Sequence, residues 1–254
     1  MWRLIRIFAL LSILAFVALG ALVDRWRTTD WDRTLWIGIF PVNADGREDT
    51  DRYIASLSRE RFSAIESFFA REAQRWDVSI DQPVRIELYP QVREPPPALD
   101  AGVGVLGSIW WSLRTRFYTW RVAGEELADI RMFVLFNDPE VTHAVPHSLG
   151  LQKGLLGIVH AYAGRSYDAT NNFVIAHEVM HTLGATDKYD PASALPRHPE
   201  GYADPEAVPL YPQQSAEVMG GRIPVSPRAA EMPQGLGEVV VGPQTAAEIN
   251  WTAR

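Results

Sequence analysis

The stretch from Asn171 to Asp187 constrains the fold most, because its pattern suits a helix that stops abruptly and turns back on itself. Asn171 or Asn172 is a suitable N-cap, and Gly184 is a natural terminator in the left-handed conformation. Between them, residues four apart share one helical face, so His177 and His181 present two imidazoles to a single ion. Glu178 sits one step round the helix, where its carboxylate reaches a water on that ion without ligating it. A glycine three residues after the second histidine lets the chain reverse, which brings Asp187 to the ion from another side. The full spacing is His-Glu-x-x-His-x-x-Gly-x-x-Asp. Three protein ligands and one open position are what a catalytic zinc requires. Tyr189 and Asp190 are close enough to substitute for Asp187 or to add a fifth ligand, but only Asp187 has the spacing.

Composition narrows the chemistry further. The chain has no cysteine, so thiolate nucleophiles, thiolate metal sites and disulfides are excluded, and a metal must be held by imidazole and carboxylate. With 47% hydrophobic and 22% charged residues over 254 positions, it is a globular chain of one domain plus an appendage. A net charge of -7 argues against nucleic acid as a partner, since phosphate binding needs a concentrated basic surface.

The appendage is N-terminal. Arg3 and Arg6 precede a charge-free run, Ile7 to Val23, which ends at Asp24, Arg25 and Arg27. About 17 residues at about 1.5 Å rise give about 26 Å of helix, close to the thickness of a bilayer core. Trp2 and Trp26 flank the run where interfacial aromatics belong. An uncleaved signal anchor is favoured over a signal peptide cleaved near Ala18-Leu19-Gly20, because the run is long for a signal sequence. The expected division is 1–26 as anchor or signal peptide and 27–254 as the catalytic domain, outside the cytoplasm, or secreted if the segment is cleaved.

Along that domain, 34–42 reads as a first strand, 51–76 as one long amphipathic helix and 84–89 as a short strand stopped by Pro90. Glu94-Pro95-Pro96-Pro97 is a turn or linker. In 105–121, Leu106, Ile109, Trp110, Leu113, Phe117 and Trp120 recur at helical intervals beside Arg114, Arg116 and Arg121. This helix either lies on a membrane surface or covers the sheet with a few outward aromatics; the second is favoured, since an apolar face at this spacing is usually core. Strands follow at 130–136 and 157–163, then the 171–183 helix, a long loop and a last helix at 244–251. The expected class is α/β (α+β) with a mixed sheet.

With these residues in view, the chain resembles the metzincin clan of zinc peptidases, in the variant with aspartate as third ligand. Ala216-Glu217-Val218-Met219-Gly220-Gly221 resembles the methionine turn that floors the zinc ligands in that clan, with Met219 as its methionine. The resemblance implies a mixed twisted sheet, a long backing helix, an active-site helix and a C-terminal helix after the turn. It also implies that 157–163 is the edge strand that binds an extended substrate. It further implies a zinc endopeptidase acting on peptide or protein substrates, with His177, His181 and Asp187 on Zn(2+) and Glu178 as general base. The sequence departs from the clan in its long proline-rich loop 188–216 and in lacking a tyrosine two residues after Met219, so Tyr189 and Tyr211 become the candidate transition-state stabilisers. His143, His147, His160 and His198 are read as structural. Two other readings fit the same residues: a zinc hydrolase of a non-peptide amide in the cell envelope, and a membrane-anchored peptide-binding module with a vestigial site.

Overall fold

The computed structural model describes residues 29–97, 104–123, 128–146, 148–151 and 155–252. The apolar run at 7–23, the anchor expected there and His147 lie outside the described residues. Among the described residues no helix is long and apolar enough to cross a membrane.

The chain enters strand β1 (Leu35–Asn43), then helix α1 (Glu48–Ala55), a 3-10 turn (Arg59–Phe62) and helix α2 (Ser63–Arg75). The single long helix expected over 51–76, and the long backing helix of the resemblance, are therefore two helices with a break. Serine hydroxyls compete with a helical backbone. Ser56 donates to the Tyr53 carbonyl, Ser58 is extended, and the Arg59 guanidinium donates to the Ile86 carbonyl at 2.8 Å, pinning the turn to the sheet. The apolar spacing conceals the break because Ile54, Phe62, Ile65, Phe68 and Phe69 stay buried on both sides of it.

Next come β2 (Val84–Leu88), helix α3 (Val105–Ala123), β3 (Ile130–Asn137), β4 (Leu149–Leu151) and β5 (Leu156–Tyr162). The sheet order is β2-β1-β3-β5-β4; β4 runs antiparallel to β5, and the other three pairings are parallel. The sheet is therefore mixed, as expected. The expected edge strand is not at the edge, however. The short β4, centred on Gly150 and too brief to show a period, pairs along the outer side of β5 and takes that place.

Both faces of the sheet are covered, which explains the near-continuous apolar runs of its strands. Alternation divides them: Ile130, Met132, Val134 and Phe136 pack with α1, α2 and the 168–183 helix, whereas Phe133 and Leu135 face α3. Helix α3 does cover the sheet, but not with the stripe that its spacing suggested. Trp111, Thr115 and Tyr118 turn inward, while Ile109, Trp110, Leu113, Phe117 and Trp120 are exposed. The helix is apolar on two faces, and periodicity alone cannot say which of them meets the sheet.

After β5 a 3-10 turn (Arg165–Tyr167) leads into helix α4 (Asp168–Leu183). The rest is mostly loop carrying small elements: β6 (Ala216–Glu217), β7 (Ile223–Ser226), β8 (Ala229–Glu231), β9 (Val239–Val240) and helix α5 (Pro243–Glu248). β6 pairs with β9, and β7 with β8. The last helix is shorter than the expected 244–251; Trp251 lies beyond it, packed against Trp31 and Phe69.

Candidate metal centre

Helix α4 begins three residues before the expected N-cap. Asn171 does not cap it but spans the Tyr162 backbone, accepting from its N–H at 3.2 Å and donating to its carbonyl at 2.9 Å. The neighbouring Asn172 donates to the Arg61 carbonyl at 2.7 Å. These bonds join the start of α4 to β5 and to the α1–α2 turn. At the other end Gly184 is left-handed at φ 109°, its N–H donates to His181 O, and the Ala185 N–H donates to Met180 O. That pair of bonds is a Schellman motif, which reverses the chain directly after His181.

The reversal brings Asp187 back over the helix. Its Oδ1 lies 3.2 Å from His177 Nε2 and 3.2 Å from His181 Nε2. Both rings are held from their far side. His177 Nδ1 lies 2.9 Å from Val218 O, and His181 Nδ1 lies 2.9 Å from Ala185 O. A carbonyl only accepts, so each Nδ1 carries the proton and each neutral ring turns a lone pair at Nε2 toward Asp187. Asp187 Oδ1, buried, then accepts from neither ring. Three electron-rich atoms converge on one point.

A divalent cation resolves this arrangement. For ligand bonds of about 2.0–2.1 Å, the edge of a tetrahedron is about 3.3–3.4 Å, close to the separations seen. The carbonyl partners at Nδ1 are the usual outer support of metal-bound histidine. Burial lowers the His177 pKa, but the Asp187 and Glu178 carboxylates outweigh it and raise it; burial also pushes Asp187 up, but the two imidazoles hold it far below the usual carboxylate range. The residues fit zinc: two imidazoles and one carboxylate, with no thiolate.

Glu178 is buried, and its Oε2 has no partner among the described residues. Burial pushes its carboxyl up, partly offset by His177 and His181. Gly150 of β4 passes directly over it. A Cβ there would meet Glu178 O at 2.5 Å and His181 Cβ at 2.6 Å, so only glycine lets β4 approach the helix this closely.

The cleft over these residues encloses about 670 Å³ and is lined by Ser148, Gly150, His160, Tyr189, Pro191 and Arg222, among others. Tyr189 reaches it, with burial first and then Asp187 and Glu178 raising its pKa, whereas Tyr211 does not line it and pairs with Tyr202 Oη at 2.7 Å. Asp190 is committed elsewhere: its Oδ1 accepts from the Ala192 and Ser193 N–H groups and the Ser193 hydroxyl. His160 joins the lining despite its structural reading, while His143 is exposed and His198 bonds to Pro205 O.

Met219 is fully buried in the turn after β6, and two residues that the sequence did not single out hold this region together. Glu217 accepts four hydrogen bonds: Met219 N–H at 2.7 Å and Gly220 N–H at 2.8 Å on Oε2, and Gly242 N–H at 3.0 Å and the Thr245 hydroxyl at 2.7 Å on Oε1. It ties the turn that carries Val218 O, the partner of His177, to the start of α5. Glu248 of α5 accepts from the Thr186 N–H and hydroxyl and from the buried Lys188 ammonium, all within 2.9 Å, and so grips the residues on either side of Asp187. Its only signal in the sequence is a glutamate on a polar terminal helix.

Because Glu248 acts through the placement of Asp187, Glu248→Ala is expected to weaken zinc binding by about 10-fold or more, as loss of an outer-shell partner typically does. Competitive titration with a chromogenic chelator measures this. Unchanged affinity would refute the positioning role.

No protein-family model and no curated protein matches the sequence. Among solved structures the chain is similar to wild-type OgpA from Akkermansia muciniphila, at 13% identity and a TM-score of 0.46, over 87% of this chain and 62% of that one. A second crystal form of OgpA gives 13% identity, a TM-score of 0.45 and the same coverage. A structure described as a chaperone-substrate complex gives 14% identity and a TM-score of 0.40, over 87% of this chain and 35% of that one. The chain thus spans less than two thirds of the proteins it is similar to.

Proposed function

We propose that the chain is a zinc-dependent endopeptidase of metzincin type. The observation that carries this reading is the convergence of His177 Nε2, His181 Nε2 and Asp187 Oδ1 in a cleft beside the buried Glu178 carboxylate, whose Oε2 has no partner among the described residues. These three residues would hold the metal. When bound, zinc supplies Lewis acidity, which lowers the pKa of a water and polarises a carbonyl.

The chain's own groups do the rest. Val218 O and Ala185 O fix the tautomer and tilt of the two imidazoles. Glu178 takes the proton of the attacking water at its carboxylate and delivers it to the leaving amine. Tyr189, at the cleft wall, would donate to the oxygen that gains charge; Tyr211 does not line the cleft and pairs with Tyr202.

A peptide substrate is favoured over another amide by strand β4. Among the described residues its outer side is unpaired at the end of the sheet, and Ser148 and Gly150 line the cleft, so an extended chain can add there as a further strand. In this reading residues 1–26 anchor the chain in a membrane and residues 27–254 form the catalytic domain outside the cytoplasm.

The test is a cleavage profile on a proteome-derived peptide library, native chain against Glu178→Ala. Internal peptide bonds cut only by the native chain are the expected result. A library left intact by a zinc-loaded native chain would refute the peptidase reading.

A further inference from the structure

Helix α3 carries a second surface that the metal centre does not use. Trp110, Phe117 and Trp120 are 64%, 62% and 69% exposed, and Ile109 and Leu113 are exposed with them. At about 100° per residue these five side chains form one stripe, opposite the Trp111, Thr115 and Tyr118 stripe that packs on the sheet. The same rotation places Arg116 along one side of the stripe and Arg114 and Arg121 along the other. No acidic residue occurs between 105 and 123. Arg121 pairs with Glu94, whereas Arg114 and Arg116 extend into solvent without a partner among the described residues. A soluble surface rarely leaves five large apolar side chains in one row, and a row edged by arginines has the layout of a helix lying in a membrane interface.

The end of the described chain bears on what covers this stripe. Asp129, which follows α3 after a short link, accepts from the Trp36 N–H at 3.0 Å and pairs with Arg33 at 2.7 Å. The C-terminal end of α3 and the start of β1 are therefore at the same end of the sheet. The described residues begin at Thr29, whose carbonyl accepts from Asn250 after α5, and the charge-free run at 7–23 stops six positions earlier. Only the five residues 24–28 separate that run from the described chain.

We propose that the exposed face of α3 lies in the headgroup layer of an anionic phospholipid bilayer, with Trp110, Phe117 and Trp120 inserted and Arg114 and Arg116 on lipid phosphates. The charge pattern supports the choice: the chain as a whole carries -7, and this face is basic. The proposal is independent of the metal centre and stands or falls separately from the peptidase reading.

The absence of cysteine provides the experiment. Full-length chains carrying Phe117→Cys, Trp110→Cys or, as a control, Val208→Cys in an exposed loop are labelled with a nitroxide. They are then reconstituted in vesicles of phosphatidylcholine with phosphatidylglycerol. Collision rates with oxygen and with a water-soluble nickel chelate report depth. The oxygen-to-nickel ratio is expected to be several-fold higher at 117 and 110 than at 208. Adding Arg114→Glu and Arg116→Glu is expected to return it toward the value at 208, as is replacing the anionic lipid with phosphatidylcholine alone.

Equal ratios at 117 and 208 would overturn the proposal, since the face would then be in water. Suppression of both collision partners at 117 would also overturn it, because protein would then cover the stripe, either a second copy or residues 7–23. A high ratio that neither the charge reversals nor the lipid change lowers would overturn the anionic part.

Discussion

A Glu178→Gln chain is expected to bind zinc as the native chain does and to lose about 10²–10⁴-fold in turnover, the usual contribution of a positioned general base. Gln is the right probe because the site is crowded. Oε2 lies 3.0 Å from where a Gly150 Cβ would be, so an isosteric amide keeps the packing and removes only the ability to take a proton. Zinc content should be unchanged because the three converging atoms belong to His177, His181 and Asp187. Metal analysis of the purified variant and steady-state cleavage of one peptide identified in the library together make the measurement. A variant that keeps full turnover would remove Glu178 from the mechanism. One that loses its zinc would make Glu178 a ligand instead.

The largest stability effect is expected from a residue outside the cleft. Glu217→Ala strands four buried donors, the Met219, Gly220 and Gly242 N–H groups and the Thr245 hydroxyl. Hydrogen bonds to a charged group contribute about 1.5–3 kcal/mol each, and unpaired buried donors add their own desolvation cost. The bonds share one carboxylate, and burial works against it by pushing its pKa up, so they do not add fully. A net loss of about 3–5 kcal/mol is the expectation. For a domain of this size it lowers the melting temperature by about 10 °C.

Glu217→Gln should be milder. An amide nitrogen at the Oε1 position can donate to the Thr245 hydroxyl, which rotates to accept, and leaves only the Gly242 N–H opposed. Glu206→Ala, on an exposed turn, serves as a control and should change stability by less than about 0.5 kcal/mol. Calorimetric melting of the three variants checks the order. Equal melting temperatures for Glu217→Ala and the control would show that the carboxylate does not hold the turn.

Much of the site was legible because its spacing is local. Helical rise and rotation alone put His177, Glu178 and His181 together, and the left-handed Gly184 returns Asp187 within one turn of chain. The first strand and the strands at β2, β3 and β5 were legible for a similar reason, since their apolar runs are long enough to show. What periodicity cannot register is a break that keeps its phase, as between α1 and α2, or a strand of three residues such as β4. Nor does it register a helix with two apolar faces. Whether Ile109–Trp120 or Trp111–Tyr118 meets the sheet depends on Phe133 and Leu135, which lie across space rather than along the chain.

The same distinction separates the candidate metal ligands from their supports. From the sequence alone came the donor set, its order on the helix and the exclusion of thiolate chemistry, because covalent spacing and helix geometry leave little freedom over ten residues. Tertiary structure decided which groups hold that set in place. Val218 O on His177, Glu248 on the Asp187 segment and Glu217 between the Met219 turn and α5 are contacts over 41, 62 and 28 positions at their widest. Burial and hydrogen-bond geometry, which exist only once the layers have packed, gave those side chains their roles.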